Sequence, residues 1–168
     1  GSYPPTRTLR LAVNGLLLAA FMGSVGSGMA ISKTVFPFTG FANGFSIRTL
    51  RMCLAHWTFL LAGVHLGLYW QRIRNGIWTH FPLWAKKVKS GFLPTALASL
   101  VALYGMYAFS IRDMSYVLTM QSAYSVWIDG DMLFRLLFDY GSILCLFAVP
   151  AHIAVRTIQR QKERDSSM

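Results

Sequence analysis

Long apolar runs alternate with short basic segments along this chain. Four of the runs approach or exceed the roughly 20 residues that a helix needs to cross a bilayer, and they cover 11–31, 50–70, 92–111 and 132–155. With their flanking residues they predict helices at about 9–31, 48–72, 91–112 and 132–158. The pattern therefore predicts an all-α fold, a polytopic membrane four-helix bundle in which residues 1–168 form a single transmembrane domain.

Composition and charge support a membrane protein. Hydrophobic residues make up 54% of the chain and charged residues only 13%, against roughly 25% charged residues in soluble domains. A net charge of +10 in a soluble protein would suggest a nucleic-acid partner. Here the charges lie between apolar runs rather than along one face, so the predicted partner is the lipid bilayer and not nucleic acid.

The distribution of basic residues predicts an orientation. Eleven of the sixteen lysines and arginines lie in the N-terminal segment, the loop 71–90 and the C-terminal tail. Loops rich in lysine and arginine stay in the cytoplasm. We therefore expect both termini and the loop 71–90 on the cytoplasmic side.

Two histidines inside the apolar runs are the main candidates for chemistry, because an ionisable residue within a membrane is costly. His65 precedes Arg72 by seven residues and His152 precedes Arg156 by four. These spacings correspond to about 10 Å and 6 Å in a helix. The second and fourth helices are predicted to be parallel, so the two imidazoles are expected at similar depth in the cytoplasmic half.

Two imidazoles that face each other across a helical bundle can hold the iron of a b-type haem as axial ligands. Gly63 and Gly67 flank His65 and would leave room for a flat macrocycle. The residues expected near the haem propionates are Arg72, Arg74 and Arg156. The alternative is that His65 and His152 only hydrogen-bond neighbouring helices.

The remaining ionisable residues give weaker predictions. His56 lies nine residues before His65, on the opposite face of the helix, and His80 falls in the basic loop. Arg135 and Asp139 are four residues apart in the last helix, which predicts an intrahelical ion pair. A role for Asp139 toward protons or a quinone is the alternative.

Several segments resemble one family of membrane proteins. They are LRMCLAHW at 50–57, VHLGLYW at 64–70, GMYAFSIR at 105–112 and FDYG at 138–141, followed by His152. These segments resemble the flavinylation-associated cytochrome family, whose members are small four-helix bacterial membrane proteins with an H-L-G-L-H-W-like signature. The similarity runs from the first helix to about residue 158.

The resemblance implies a function and a location. It implies transmembrane electron transfer through haem in the bacterial inner membrane, to or from a quinone or flavoprotein partner. Such a protein is an electron carrier or an oxidoreductase subunit rather than an enzyme by itself.

The chain departs from the family at two positions. It has Arg51 where members usually carry a histidine, and Tyr69 where the signature has its second histidine. The positions that remain, His65 and His152, predict one haem b. The alternative is a haem-free scaffold or accessory subunit that keeps the cytochrome-like fold.

Overall fold

The computed structural model describes residues 5–31, 45–79, 92–121 and 133–165. These residues form five helices: α1 (Pro5–Ile31), α2 (Phe45–Thr79), α3 (Phe92–Ile111), α4 (Met114–Leu118) and α5 (Leu133–Asp165). No strand occurs in these four ranges. The all-α fold class is therefore confirmed.

The four long helices lie where the apolar runs predict them, but two of them extend further at their C-terminal ends. Helix α2 ends at Thr79 and α5 at Asp165, each seven residues beyond the predicted end. Helix-forming residues such as arginine and glutamine continue the backbone hydrogen bonding after the apolar run has stopped. Hydropathy therefore predicted the apolar part of each helix and not its full length.

Among the described helices, three are long and apolar enough to cross a membrane, with the segments Thr6–Ala30, Phe45–Gly76 and Leu133–Gln161. Helix α3 contributes a shorter apolar stretch, Ala96–Ile111. Within the most apolar window of α1 only 6% of the residues are buried by the rest of the protein. Soluble monomers rarely expose apolar surface of this extent, so these helices are suited to contact with lipid.

Helix α5 lies between α2 and α3, and α1 packs on the other side of α2. Glycines allow the backbones to approach closely. Gly63 and Gly67 of α2 pack directly on Leu144 and Ala148 of α5, and a Cβ added to Gly67 would lie 2.9 Å from the Cα of Ala148. Both pairs are separated by 81 sequence positions, so α2 and α5 run parallel in a constant register. We call this contact the glycine seam.

A similar close approach joins α3 to α5. A Cβ added to Gly105 would lie 3.2 Å from the backbone nitrogen of Ile143. Ile143 also belongs to the main apolar cluster, together with Leu60, Ala108 and Met114. The three helices α2, α3 and α5 thus share one core.

The short helix α4 folds back onto the end of this core. Asp113, which precedes it, has φ 49° and ψ 34°, a left-handed conformation that aspartate adopts more readily than most residues. The reversal buries Met114 and Val117. The carbonyl oxygen of Leu118 then accepts hydrogen bonds from Cys53 Sγ at 3.3 Å and from Trp57 Nε1 at 3.4 Å.

Candidate functional site: the histidines and two groups of charged residues

His65 binds helix α1. Its Nδ1 donates a hydrogen bond to Oδ1 of Asn14 at 2.9 Å, and Nδ2 of Asn14 donates to the hydroxyl of Tyr69 at 3.1 Å. The rings of His65 and Tyr69 lie 4.6 Å apart, centroid to centroid, with an angle of 31° between their planes. Because an amide oxygen can only accept, the proton of a neutral His65 is on Nδ1 and the lone pair on Nε2.

His152 faces a different neighbour. Its half-buried side chain lies near the backbone of Gly67 and near the charges of Arg74 and Arg156. His65 is two residues from Gly67, which places it about 200° around α2, on the opposite side of that helix. His152 therefore faces α2, whereas His65 faces α1.

The depths of the two histidines also differ. In the register of the glycine seam His65 is level with Leu146, six residues before His152 and therefore about 9 Å away along the helix axis. Both side chains lean toward the N-termini of parallel helices, so the offset persists at the rings. The sequence predicts similar depth because it refers the two histidines to Arg72 and Arg156, and in the register of the glycine seam these two arginines do not lie at the same level.

The room expected for a macrocycle beside Gly63 and Gly67 is occupied by helix α5. A Cβ at Gly63 would already lie 3.0 Å from the carbonyl oxygen of Leu144 and 3.3 Å from Cβ of Phe147. These glycines serve helix packing in this structure. The described contacts do not bring His65 and His152 into one site.

A group of basic residues lies at the end of the protein where α1 begins and α2 ends. The guanidinium carbons of Arg10 and Arg72 lie 5.4 Å and 5.7 Å from the ring centroid of Tyr69. The Nε atoms of Arg10 and Arg74 are buried and have no hydrogen-bond partner among the described residues. Arg156 is exposed. A role for Arg72, Arg74 and Arg156 toward propionates stays a prediction.

The opposite end carries a buried ion pair. Nε and one terminal nitrogen of Arg112 donate to Oδ2 of Asp139 at 3.2 Å and 2.8 Å. The hydroxyl of Tyr104 donates to Oδ1 of the same carboxylate at 2.8 Å. Arg112 and Asp139 are each 2% exposed. This contact ties α5 to the end of α3.

The ion pair corrects the expectation for the last helix. The predicted partner of Asp139 was Arg135, but the two carboxylate oxygens bind Arg112 and Tyr104, and Arg135 is exposed. The sequence places Arg112 at the end of the third predicted helix and gives it no predicted partner. The signal that could have found the pair is the aspartate itself, because a carboxylate within an apolar run requires a cation from another segment.

Of the other positions named from the sequence, His56 contacts its own helix and Arg51 contacts α1. His56 Nδ1 donates to the carbonyl oxygen of Met52, on its own helix, at 2.8 Å. The guanidinium group of Arg51 lies over Gly28 of α1, with Nε 3.7 Å from where a Cβ would be. His80 lies outside the described residues.

The comparisons with known proteins return no relatives. No protein-family model, no curated protein and no solved structure matches the chain. Within the described residues there is also no group of three or more histidine, cysteine, aspartate or glutamate side chains that could hold a metal ion. The resemblance to flavinylation-associated cytochromes therefore rests on the sequence segments alone.

Proposed function

We propose that the chain is an integral membrane protein with four spans, formed by α1, α2, α3 and α5, in a bacterial inner membrane. The apolar, exposed surfaces of these helices support insertion, and the bias of basic residues supports cytoplasmic termini. A reporter that is active only outside the cytoplasm tests the orientation. Fused at residue 80 it should be silent and at residue 122 active, and the reverse pattern would overturn the proposed orientation.

Within the membrane, we propose that the protein acts as a haem-free scaffold or accessory subunit. The observation that carries this proposal is the glycine seam, because it packs the backbones of α2 and α5 directly on each other beside Gly63 and Gly67, where the sequence predicts room for a macrocycle. His65 is instead used in the α1–α2 contact through Asn14. Such hydrogen bonds between membrane helices contribute about 0.6–2 kcal/mol each, so they account for a polar residue at this position without a cofactor.

The arrangement of the helices is consistent with a scaffold role. Helix α5 contacts α2 and α3, whereas α1 contacts mainly α2. Large apolar side chains on α1, among them Leu16, Leu18 and Met22, remain exposed. A helical assembly of this kind can anchor and position a partner subunit inside the membrane.

A second candidate is an electron-transfer subunit with one haem b that serves a quinone or flavoprotein. One observation favours it. A histidine that ligates a metal commonly donates its other ring N–H to an oxygen acceptor, and His65 makes this contact with Asn14 and so presents Nε2. As arranged, however, His65 and His152 do not fit a shared iron, since they differ in depth and face different helices. A haem at these two residues requires α2 and α5 to separate.

Optical spectroscopy distinguishes the two candidates. The full chain is purified from haem-replete cells, and its reduced-minus-oxidised spectrum and pyridine haemochrome are recorded with a protein determination. The scaffold proposal predicts no stoichiometric haem. About one haem per chain, lost in both His65→Ala and His152→Ala but retained in His56→Ala, would overturn it in favour of the electron-transfer subunit.

A further inference from the structure

Two arginines from different helices converge on one aromatic ring. Arg10 of α1 and Arg72 of α2 both lie within 6 Å of the ring centroid of Tyr69, at 5.4 Å and 5.7 Å. A cation over an aromatic ring is favourable, but two like charges held beside the same ring repel each other. Among the side chains that the structure describes, no carboxylate compensates the two guanidinium groups.

Hydrogen bonding among the described residues of this region is also incomplete. The Nε of Arg10 is buried and has no partner among the described residues, although a guanidinium nitrogen is a strong donor. The hydroxyl of Tyr69 accepts a hydrogen bond from Asn14, and no contact of the described residues uses its own proton. Of the side chains that the structure describes, the only carboxylates are Asp113 and Asp139, at the opposite end of the helices. No described acidic side chain can fill this role.

We propose that Arg10, Arg72 and Tyr69 form a binding site for the phosphate group of an anionic phospholipid. A phosphate oxygen can accept from both guanidinium groups and from the Tyr69 hydroxyl, and arginine is the side chain best suited to paired donation to phosphate. We call these three residues the Tyr69 site. It goes beyond the proposed scaffold function and does not depend on it.

The surroundings favour a lipid over free phosphate. Residues adjacent to the site present exposed apolar side chains, with Leu11 61% and Trp70 41% exposed. Both residues lie within segments long enough to cross a bilayer. A tryptophan at this position is typical of the membrane interface, where lipid phosphates lie. An acyl chain can therefore run along the apolar surface while the phosphate occupies the Tyr69 site.

The test uses the full chain in a neutral detergent, stripped of lipid, and measures binding by native mass spectrometry and by the shift of the unfolding temperature. The titrants are phosphatidylglycerol, phosphatidylcholine and inorganic phosphate. The variants are Arg10→Gln and Arg72→Gln, with Arg135→Gln as the control that removes the same charge at the other end of the protein. Circular dichroism checks that each variant keeps its helical content.

Phosphatidylglycerol should bind and raise the unfolding temperature, and each of the two variants should weaken its binding by roughly tenfold, as expected for loss of a charge-assisted hydrogen bond. The Arg135→Gln control should remain within about twofold of the unaltered protein. Equal binding of phosphatidylcholine, or equal weakening in the control, would overturn the proposal. Equal stabilisation by inorganic phosphate would overturn the lipid assignment. These titrations are read out without haem, so they are independent of the spectroscopic test above.

Discussion

The two ends of this protein differ in how their charged side chains are neutralised. At the α3–α5 end, Arg112 and Asp139 are buried together, with 2.8 Å between a guanidinium nitrogen and a carboxylate oxygen. At the end where α1 begins and α2 ends, which we call the α1–α2 end, Arg10 and Arg72 lie near the same aromatic ring, that of Tyr69. No described carboxylate lies there. One end uses charge to join its own helices. The other end presents charge to its surroundings.

Each of the two arrangements of charge is stable for a different physical reason. A buried charge requires a partner of opposite sign, because the desolvation of each ion costs several kcal/mol. A long basic side chain at the end of an apolar helix needs no such partner, because it can extend toward water and lipid headgroups. The difference predicts that substitutions at the two ends have very different effects on stability.

Arg112→Gln should give the largest effect. It leaves the carboxylate of Asp139 buried without its cation, so we expect the free energy of unfolding to fall by about 3–5 kcal/mol. Reversible unfolding in mixed micelles, followed by circular dichroism, measures the loss. The matched control is Arg160→Gln, an exposed arginine in α5 far from Asp139, which should change stability by less than about 0.5 kcal/mol.

A double substitution sharpens this prediction. Arg112→Met combined with Asp139→Leu replaces both ions by apolar groups, so it should recover much of the stability that Arg112→Gln loses. Similar small losses in Arg112→Gln and Arg160→Gln would show that the ion pair does not hold α3 to α5.

Gly67→Ala should give a smaller effect, at the middle of the protein. The added methyl group meets the backbone of Ala148, so the helices must shift, at a net cost of about 1–3 kcal/mol. The control Gly15→Ala adds the same group where no atom of another helix lies within 4 Å, and the greater helix propensity of alanine should leave stability unchanged or slightly higher. The same unfolding assay compares the two. Equal changes in the free energy of unfolding for the two variants would mean that the glycine seam is not closely packed.

Asn14→Ala, at the end where α1 begins and α2 ends, should give the smallest of the three losses in stability. It removes the hydrogen bonds to His65 and Tyr69, and we expect a loss of about 1 kcal/mol, as is common for hydrogen bonds between membrane helices. A double-mutant cycle with His65→Ala isolates the shared contact. Strictly additive losses would show that the two side chains do not interact.

The positions of the helices could be predicted from the sequence, because apolar runs of this length leave few alternatives. The relation between the helices could not. The depth of His152 was inferred from Arg156, but basic side chains extend over several ångströms and therefore mark the membrane boundary only coarsely. The constant offset between α2 and α5 depends on where Gly63 and Gly67 meet their neighbours, which is a property of packing.

The partners of the polar side chains illustrate the same limit. Asp139 was paired with Arg135 because they lie one helical turn apart, whereas the actual partner, Arg112, comes from another helix. Asn14 lies 51 positions from His65, and nothing in the local pattern of α1 indicated that it would bind this histidine. Such contacts follow from the tertiary arrangement and not from spacing along one helix.

The central claim is that α2 and α5 pack directly on each other at the level where a haem would otherwise lie, and disulfide cross-linking tests it most directly. In a chain with Cys53→Ser and Cys145→Ala, Gly63→Cys is combined with Phe147→Cys, because a Cβ at Gly63 lies 3.3 Å from Cβ of Phe147, close to the separation in a disulfide. The control pairs Gly63→Cys with Phe138→Cys, whose ring packs on Tyr104 of α3. Oxidation in native membranes should join the first pair rapidly and the control pair little. Failure of the first pair to cross-link, with haem present in the same membranes, would contradict the closed seam.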